Sequence, residues 1–291
     1  MKIQTIRWPA PAKLNLFLYI NGQRQDGYHE LQTLFQFIDI CDYLTITPNS
    51  SSEITLSGAI ANIALEDNLI YKAAMLLKKS APKHLGANIN VEKNLPMGGG
   101  LGGGSSDAAT TLVALNYHWQ LQLDRQQLAK LSMTLGADVP IFIFGKAAIA
   151  EGIGEILSPV TPTENYYLLA IPSCHVSTPL VFGDPELTRD TRKQPHQRLM
   201  QQAWENDCQT CVKNNYPEVA KIIEWLVEYA PTRLTGTGGC VFSTFNNASE
   251  AQVVMDKAPK WLNIRTTQGL NNSPLNELLS TLDQNQQNIV N

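Results

Sequence analysis

The stretch Leu95-Pro96-Met97-Gly98-Gly99-Gly100-Leu101-Gly102-Gly103-Gly104-Ser105-Ser106-Asp107 decides how this chain is read. Six of the seven positions from 98 to 104 are glycine, between a strand-like segment (Ala87 to Lys93) and a helix-like one (Ser106 to Asn116). Glycine reaches backbone angles closed to other residues and lets a ligand approach the main chain. Successive glycine amides leading into a helix start form a concave anion site, helped by the positive end of the helix dipole. Ser105 and Ser106 are good caps and can offer hydroxyls to a phosphate or to its metal ion. The alternative is a flexible linker. A linker would continue into polar residues, whereas an ordered helix pattern follows here at once, so phosphate binding is the expectation. No Gly-Lys-Ser/Thr follows the glycines, and G-x-G-x-x-G fits only because so many glycines match almost any template. The lysine that reaches the terminal phosphates must come from elsewhere in the chain.

Working outward, Lys13 to Ile20 alternates as a strand. Leu14, Leu16, Leu18 and Ile20 are expected on the core face, with Lys13, Asn15, Phe17 and Tyr19 opposite. Asp26-Gly27 marks a turn. Further strands are expected at Thr33 to Ile40, Tyr43 to Thr47 and Glu53 to Leu56, and a helix at Asn68 to Lys79. A second helix spans Asp124 to Leu135, with an Asp124/Gln127 capping box and Gly136 at its C′ position. Ala147 to Glu151 and Glu155 to Leu157 read as a hairpin. Pro159 and Pro162 suggest a boundary between residues 1–160 and 161–291. Beyond it come a strand at Tyr166 to Ile171, a Pro-bounded segment at Thr178 to Phe182 and a helix at Pro217 to Tyr229. The glycine turn 236–239 follows, then a strand at Cys240 to Phe245 and a helix at Ala248 to Lys257. The Asn/Gln-rich tail after Asn271 is expected to fray. The mixture favours an α+β fold.

The 291 residues are 43% hydrophobic and 16% charged, as in a globular protein with a sizeable core. The net charge of −4 speaks weakly against a nucleic-acid partner. The longest apolar runs, such as Ile141 to Phe144, are too short to cross a bilayer. Met1 to Arg7 has no apolar core for secretion, so a cytoplasmic protein is expected. The five cysteines make no disulfide framework. Cys208 and Cys211 lack the second pair that a zinc site requires and read as two thiols on a helix.

Asp138, in Gly136-Ala137-Asp138-Val139-Pro140, is either a cap or a general base whose pKa apolar neighbours would raise and a lysine would lower. Lys13 is the candidate for that lysine. Tyr28-His29 follows the Asp-Gly turn, where an aromatic beside an imidazole can stack on and hydrogen-bond to a ring. Asp107 reads as a dipole-stabilising residue that could also approach magnesium.

Three segments together resemble the motifs of the galactokinase, homoserine kinase, mevalonate kinase and phosphomevalonate kinase superfamily: Pro11-Ala12-Lys13-Leu14-Asn15-Leu16, Pro96 to Ala109, and Leu234-Thr235-Gly236-Thr237-Gly238-Gly239. Asp26-Gly27-Tyr28-His29 and Gly136-Ala137-Asp138-Val139-Pro140 resemble the branch that phosphorylates the 2-hydroxyl of 4-diphosphocytidyl-2-C-methyl-D-erythritol, in the non-mevalonate route to isoprenoids. The resemblance spans about Trp8 to Pro274, in order. It implies a two-domain fold, the first domain like that of ribosomal protein S5 domain 2 and the second ferredoxin-like, with the site in the cleft. It further implies ATP phosphates on Pro96 to Ser106, Asp138 as base, Lys13 beside it, and Asn15 on the substrate. Tyr28, His29 and Phe182 would line the cytidine pocket, with Asn68 and Lys93 on the adenine side. ATP and Mg²⁺ are the implied co-substrate and ion, and a small molecule is the implied partner, with no membrane, nucleic acid or obligate protein. The ligands of the magnesium stay open, since Asp107 departs from the wider superfamily. Two alternatives are another kinase of the superfamily and a non-catalytic nucleotide-binding module. The second would be expected to lack the lysine or the aspartate.

Overall fold

The computed structural model describes residues 5–59 and 63–290, with side chains of 285–290 excepted. Residues 1–4 of the stretch read for a secretion signal, and Asn291 of the tail, lie outside that set.

The chain builds a continuous sheet on two long strands, β1 (Ile6–Gln23) and β2 (His29–Asn49), paired antiparallel along almost their whole length. The two strands expected between Thr33 and Thr47 are thus one. β3 (Ile54–Gly58) pairs parallel with β4 (Gly86–Glu92), which lies against the second half of β2. β5 (Ala148–Gly152) pairs with the first half of β2 and forms the expected hairpin with β6 (Ile156–Pro159).

Helices α1 (Leu69–Lys78), α2 (Gly103–His118), α3 (Arg125–Ser132) and α4 (Val139–Phe144) share a core cluster with Trp8, Phe37 and Leu44 of the sheet. α2 is buried continuously from Ser106 to Leu115, which its small residues Ala108, Ala109 and Ala114 permit. A helix covered on all sides occupies the centre of its layer. The Asp124/Gln127 capping box forms as expected. Gly136 is not the C′ residue, because the helix ends at Ser132 with Met133 as its cap.

After residue 160 the chain forms β7 (Tyr166–Ala170), α5 (Thr178–Gly183), α6 (His196–Leu199), α7 (Gln209–Asn215) and α8 (Pro217–Val227). Then come β8 (Thr232–Leu234), β9 (Val241–Phe245), α9 (Ala248–Met255), β10 (Ile264–Leu270) and α10 (Pro274–Val290). The four strands lie in the order β10-β7-β9-β8 and are antiparallel, the split β-α-β arrangement of ferredoxin-like folds. β10 also pairs with β2 at Gly269 and Leu270, so the two sheets join. Cys208 and Cys211 are buried free thiols at the start of α7.

Two further expectations fail. The tail does not fray after Asn271: α10 sets Leu275, Leu278, Leu279 and Leu282 on one stripe against the first core cluster. The strict alternation of β1 also breaks. Asn15 faces Phe35 but Leu18 faces Thr33, so three residues of β1 oppose two of β2. This bulge inverts the faces beyond it. Phe17 and Tyr19 join Leu14 and Leu16 in one cluster, while Leu18 and Ile20 turn to the other and pack with Ala170 and Val176. The face carrying Lys13 and Asn15 is thus covered, and both side chains are buried.

Candidate active site

The glycine segment holds its shape through tertiary contacts as well as sequence. Gly100 and Gly102 take φ values of +75° and +74°. A Cβ at Gly100 would lie 2.3 Å from the Thr235 carbonyl oxygen, and one at Gly102 would lie 2.7 Å from the Phe142 ring. Glycine is required at both by the protein itself. Gly103 and Gly104 differ: they open α2, and a Cβ there meets only ordinary contacts at 3.4 Å. The first amides of α2 have no partner within the helix and are available to an anion.

The three motifs converge on this segment. Lys13 N–H donates to Leu101 O (3.0 Å), and Cys240 N–H donates to Gly99 O (3.0 Å). Asn15 N–H donates to Thr235 Oγ1 (2.9 Å). Asn206 Nδ2 donates to Leu234 O and Gly236 O and so fixes the second glycine turn.

Two cavities flank the segment. The first, about 620 Å³, runs along Pro96 to Ser105 and also touches Asn68, Lys93 and Asp107. Asn68 caps α1, its Oδ1 accepting from Ile70 N–H (2.9 Å). The second, about 460 Å³, lies between the halves of the chain and contains Lys13, Asn15, Tyr28, His29, Asp138 and Phe182. Gly100, Gly102 and Ser105 line both. Ser106 lines neither: it is fully buried and its Oγ has no hydrogen-bond partner among the described residues. Its expected place among hydroxyls facing the phosphates is therefore not where the structure puts it.

In the second cavity Lys13 Nζ donates to Asn15 Oδ1 (2.6 Å) and Gly100 O (3.0 Å), and lies 3.4 Å from Asp138 Oδ2. Asn15 Nδ2 donates to Thr33 Oγ1 (2.8 Å). Asp138 holds the N-cap position of α4, yet its side chain makes no capping bond. Its side chain is 40% exposed against 3% for that of the lysine, so the carboxylate stays open to a ligand while the cation is fixed.

Tyr28 is exposed at the cavity rim and His29 is buried. The His29 and Phe182 rings stack at 4.8 Å, 18° apart, bringing the two halves of the chain together. Arg189, which sequence reading did not single out, donates from Nε to His29 Nε2 (3.2 Å). Burial, and then the Arg189 charge, hold the His29 pKa below its ordinary value.

Lys93 does not present a free ammonium to the first cavity. Its Nζ pairs with Asp42 and, at 2.8 Å, with Asp107. Burial raises the Asp107 pKa to about 7 despite that lysine, and Asp42 adds to the rise. Asp107 is thus a buried partner of Lys93, with Oδ1 unpartnered among the described residues, rather than a group serving the helix dipole.

The chain is similar to known proteins along most of its length. Residues 68–146 match the GHMP kinases N terminal domain, and residues 186–264 the GHMP kinases C terminal domain. A 4-diphosphocytidyl-2-C-methyl-D-erythritol kinase of Psychromonas ingrahamii is 67% identical over 279 residues, covering 96% of this chain and 98% of that one. The chain belongs to this kinase family. A Vibrio cholerae member is 55% identical, covering 95% of each chain. The crystal structure of a 4-(cytidine 5′-diphospho)-2C-methyl-D-erythritol kinase superposes with a TM-score of 0.80 at 31% identity, over 91% of this chain and all of that one. A homoserine kinase from Cytophaga hutchinsonii, 13% identical with a TM-score of 0.70 over 94% of this chain and 96% of its own, shares the fold. Membership makes the chain an ATP-dependent small-molecule kinase with the two-domain α+β architecture of the GHMP kinases.

Proposed function

We propose that this kinase transfers the γ-phosphoryl group of ATP to the 2-hydroxyl of 4-diphosphocytidyl-2-C-methyl-D-erythritol, giving the 2-phosphate and ADP in the non-mevalonate route to isoprenoid precursors. The observation that carries the reading is the pair of cavities meeting at Gly100, Gly102 and Ser105, with the Lys13–Asp138 pair on the acceptor side. ATP occupies the first cavity, its phosphates on the amides between Pro96 and Ser105, with Asn68 and Lys93 towards the base. Lys93 contributes there as part of its cluster with Asp42 and Asp107. The acceptor occupies the second cavity, with Asn15 on the methylerythritol and Tyr28, His29 and Phe182 around cytosine. Asp138 takes the hydroxyl proton as that oxygen bonds to phosphorus and the bond to the ADP oxygen breaks. Lys13, held by Asn15 and the Gly100 carbonyl, orients Asp138 and stabilises charge on the transferred group. Phosphoryl transfer asks mainly for such positioning and charge stabilisation.

Among the described residues no group of three or more His, Cys, Asp or Glu side chains is placed to hold a metal. Magnesium would arrive on the ATP phosphates, since Mg²⁺ keeps waters and takes few protein ligands. Ser105, facing both cavities, would share it, and the ion would neutralise phosphate charge. Residues 1–160 form the ATP-binding half and residues 161–291 the substrate-side half, with α10 returning to the first. No helix among the described residues is long and apolar enough to cross a membrane, and the net charge is −4. The reading is of a cytoplasmic enzyme acting on small molecules, without a nucleic-acid, membrane or obligate protein partner.

The test is ADP release by purified protein with ATP and Mg²⁺, offered the diphosphocytidyl substrate, mevalonate or homoserine in turn. Turnover is expected with the first alone. Equal turnover of either simple alcohol, or none of the first, contradicts the reading.

A further inference from the structure

Arg189 ties together the two halves of the nucleobase pocket. Its Nε donates to His29 Nε2 (3.2 Å), Nη1 to Leu187 O (3.1 Å), and Nη2 to Phe182 O (2.7 Å) and Asp184 O (2.8 Å). The last two carbonyls lie at the C-terminal end of α5, where a cation is favoured. These bonds fix the guanidinium plane, and the Phe182 ring fixes the imidazole plane.

We propose that Arg189 is a specificity-determining positioning residue: it locks His29 as the neutral Nδ1–H tautomer, so that the pocket selects cytosine over uracil. The inference rests on the cytidine reading above. A guanidinium has five N–H donors, no acceptor, and stays charged. The ring nitrogen facing it must therefore be the lone-pair nitrogen, which leaves the proton on Nδ1. Among the described residues His29 Nδ1 carries no protein hydrogen bond, and His29 lines the acceptor cavity. His29 thus meets a ligand as a donor only. The ring position that distinguishes the bases is N3, an acceptor in cytosine and an N–H donor in uracil, so the Nδ1–H is assigned to N3. Donor against donor in a closed pocket leaves both groups unpaired, a mismatch that sites of this kind reject strongly. One face of Phe182 is already covered by the imidazole, so the base meets the edge of His29 and the remaining ring surfaces.

The tautomer is read without substrate from long-range ¹H–¹⁵N spectra of labelled protein, with His29→Gln assigning the signal. Wild type is expected to show a protonated Nδ1 and an unprotonated Nε2. Arg189→Met should shift His29 toward the Nε2–H form and lower the ratio of kcat/KM for the cytidine substrate over its uridine analogue about tenfold or more. Arg189→Lys keeps the charge and a donor, one bond further along the side chain than Nε, and should hold tautomer and ratio closer to wild type than Arg189→Met does. This variant and the wild-type spectrum decide the matter if Arg189→Met does not fold. An Nε2–H tautomer in wild type overturns the proposal. So does an unchanged ratio in Arg189→Met, since a purely structural role lowers both substrates together. So does a ratio lost in Arg189→Lys while Nδ1–H persists. A wild type inactive on the cytidine substrate instead overturns the proposed function, and the spectrum separates the two failures.

Discussion

Two lysine–carboxylate groups flank the glycine segment, and they are built in opposite ways. Lys13 faces one aspartate, Asp138, whose side chain is 40% exposed and makes no capping bond. Lys93 faces two, Asp42 and Asp107, whose side chains are 0% and 5% exposed. Asp42 also accepts from the Asn94 and Leu95 amides and so anchors the start of the glycine segment. A charge pair with one open member can exchange protons with a ligand. A closed cluster holds backbone in place and exposes uncompensated charge when one member is lost. Pairing alone therefore does not separate the two lysines, whereas access of the partner does, and the proposed function places only Lys13 at the reacting groups.

Exchanging the two lysines separates the roles. Lys93→Met leaves Asp42 and Asp107 buried without a cation, and chemical denaturation should show a loss of about 3–5 kcal/mol. Lys13→Met strands no buried charge, since Asp138 is 40% exposed, and unpairs only Asn15 Oδ1 and the Gly100 carbonyl, so its loss of stability should be smaller, about 1–3 kcal/mol, while turnover falls about 10²–10³-fold. If both variants lose stability alike and keep their turnover, the distinction fails.

Smaller effects sharpen it. A methyl at Gly103 fits the fold, so Gly103→Ala should keep its melting temperature and weaken ATP about tenfold, roughly 1.4 kcal/mol, leaving the diphosphocytidyl substrate little affected. Calorimetry on the two ligands checks this. The smallest expected effect is the pH dependence of Asp107. Its folded pKa of about 7 lies above the ordinary 3.8 because burial disfavours the charge. The native state therefore holds a proton that the unfolded chain releases between those values. That contribution is complete below the ordinary value and is lost as pH rises toward about 7. The stability of wild type relative to Asp107→Asn should accordingly fall over this window. A difference that grows with pH would mean that the ion pair with Lys93 outweighs burial.

What was legible in the sequence follows the same division. The glycine segment could be read directly because a backbone-built site leaves a compositional trace. Asp124 with Gln127 could be read because a cap is local. Side-chain chemistry was legible mainly through resemblance: nothing in the periodicity around Lys13 says that Asp138, 125 positions away, lies 3.4 Å from it. The bulge between Asn15 and Leu18 leaves no mark, since leucine suits either buried face. Arg189 went unnoticed because the partner that gives it meaning, His29, lies far away in the sequence, and its other three are local backbone carbonyls that leave no trace in composition. The α10 stripe was legible, four leucines at helical spacing, but the surrounding Asn and Gln masked it.

The central claim is that Asp138 takes the acceptor proton while Lys13 holds it in place. Asp138→Asn keeps the shape and removes the basicity. Single-turnover transfer of the γ-phosphoryl group from ATP to the diphosphocytidyl substrate, with ATP affinity measured in parallel, tests it most directly. The account predicts a transfer rate lower by about 10²-fold or more with ATP affinity unchanged. Transfer near the wild-type rate would contradict it.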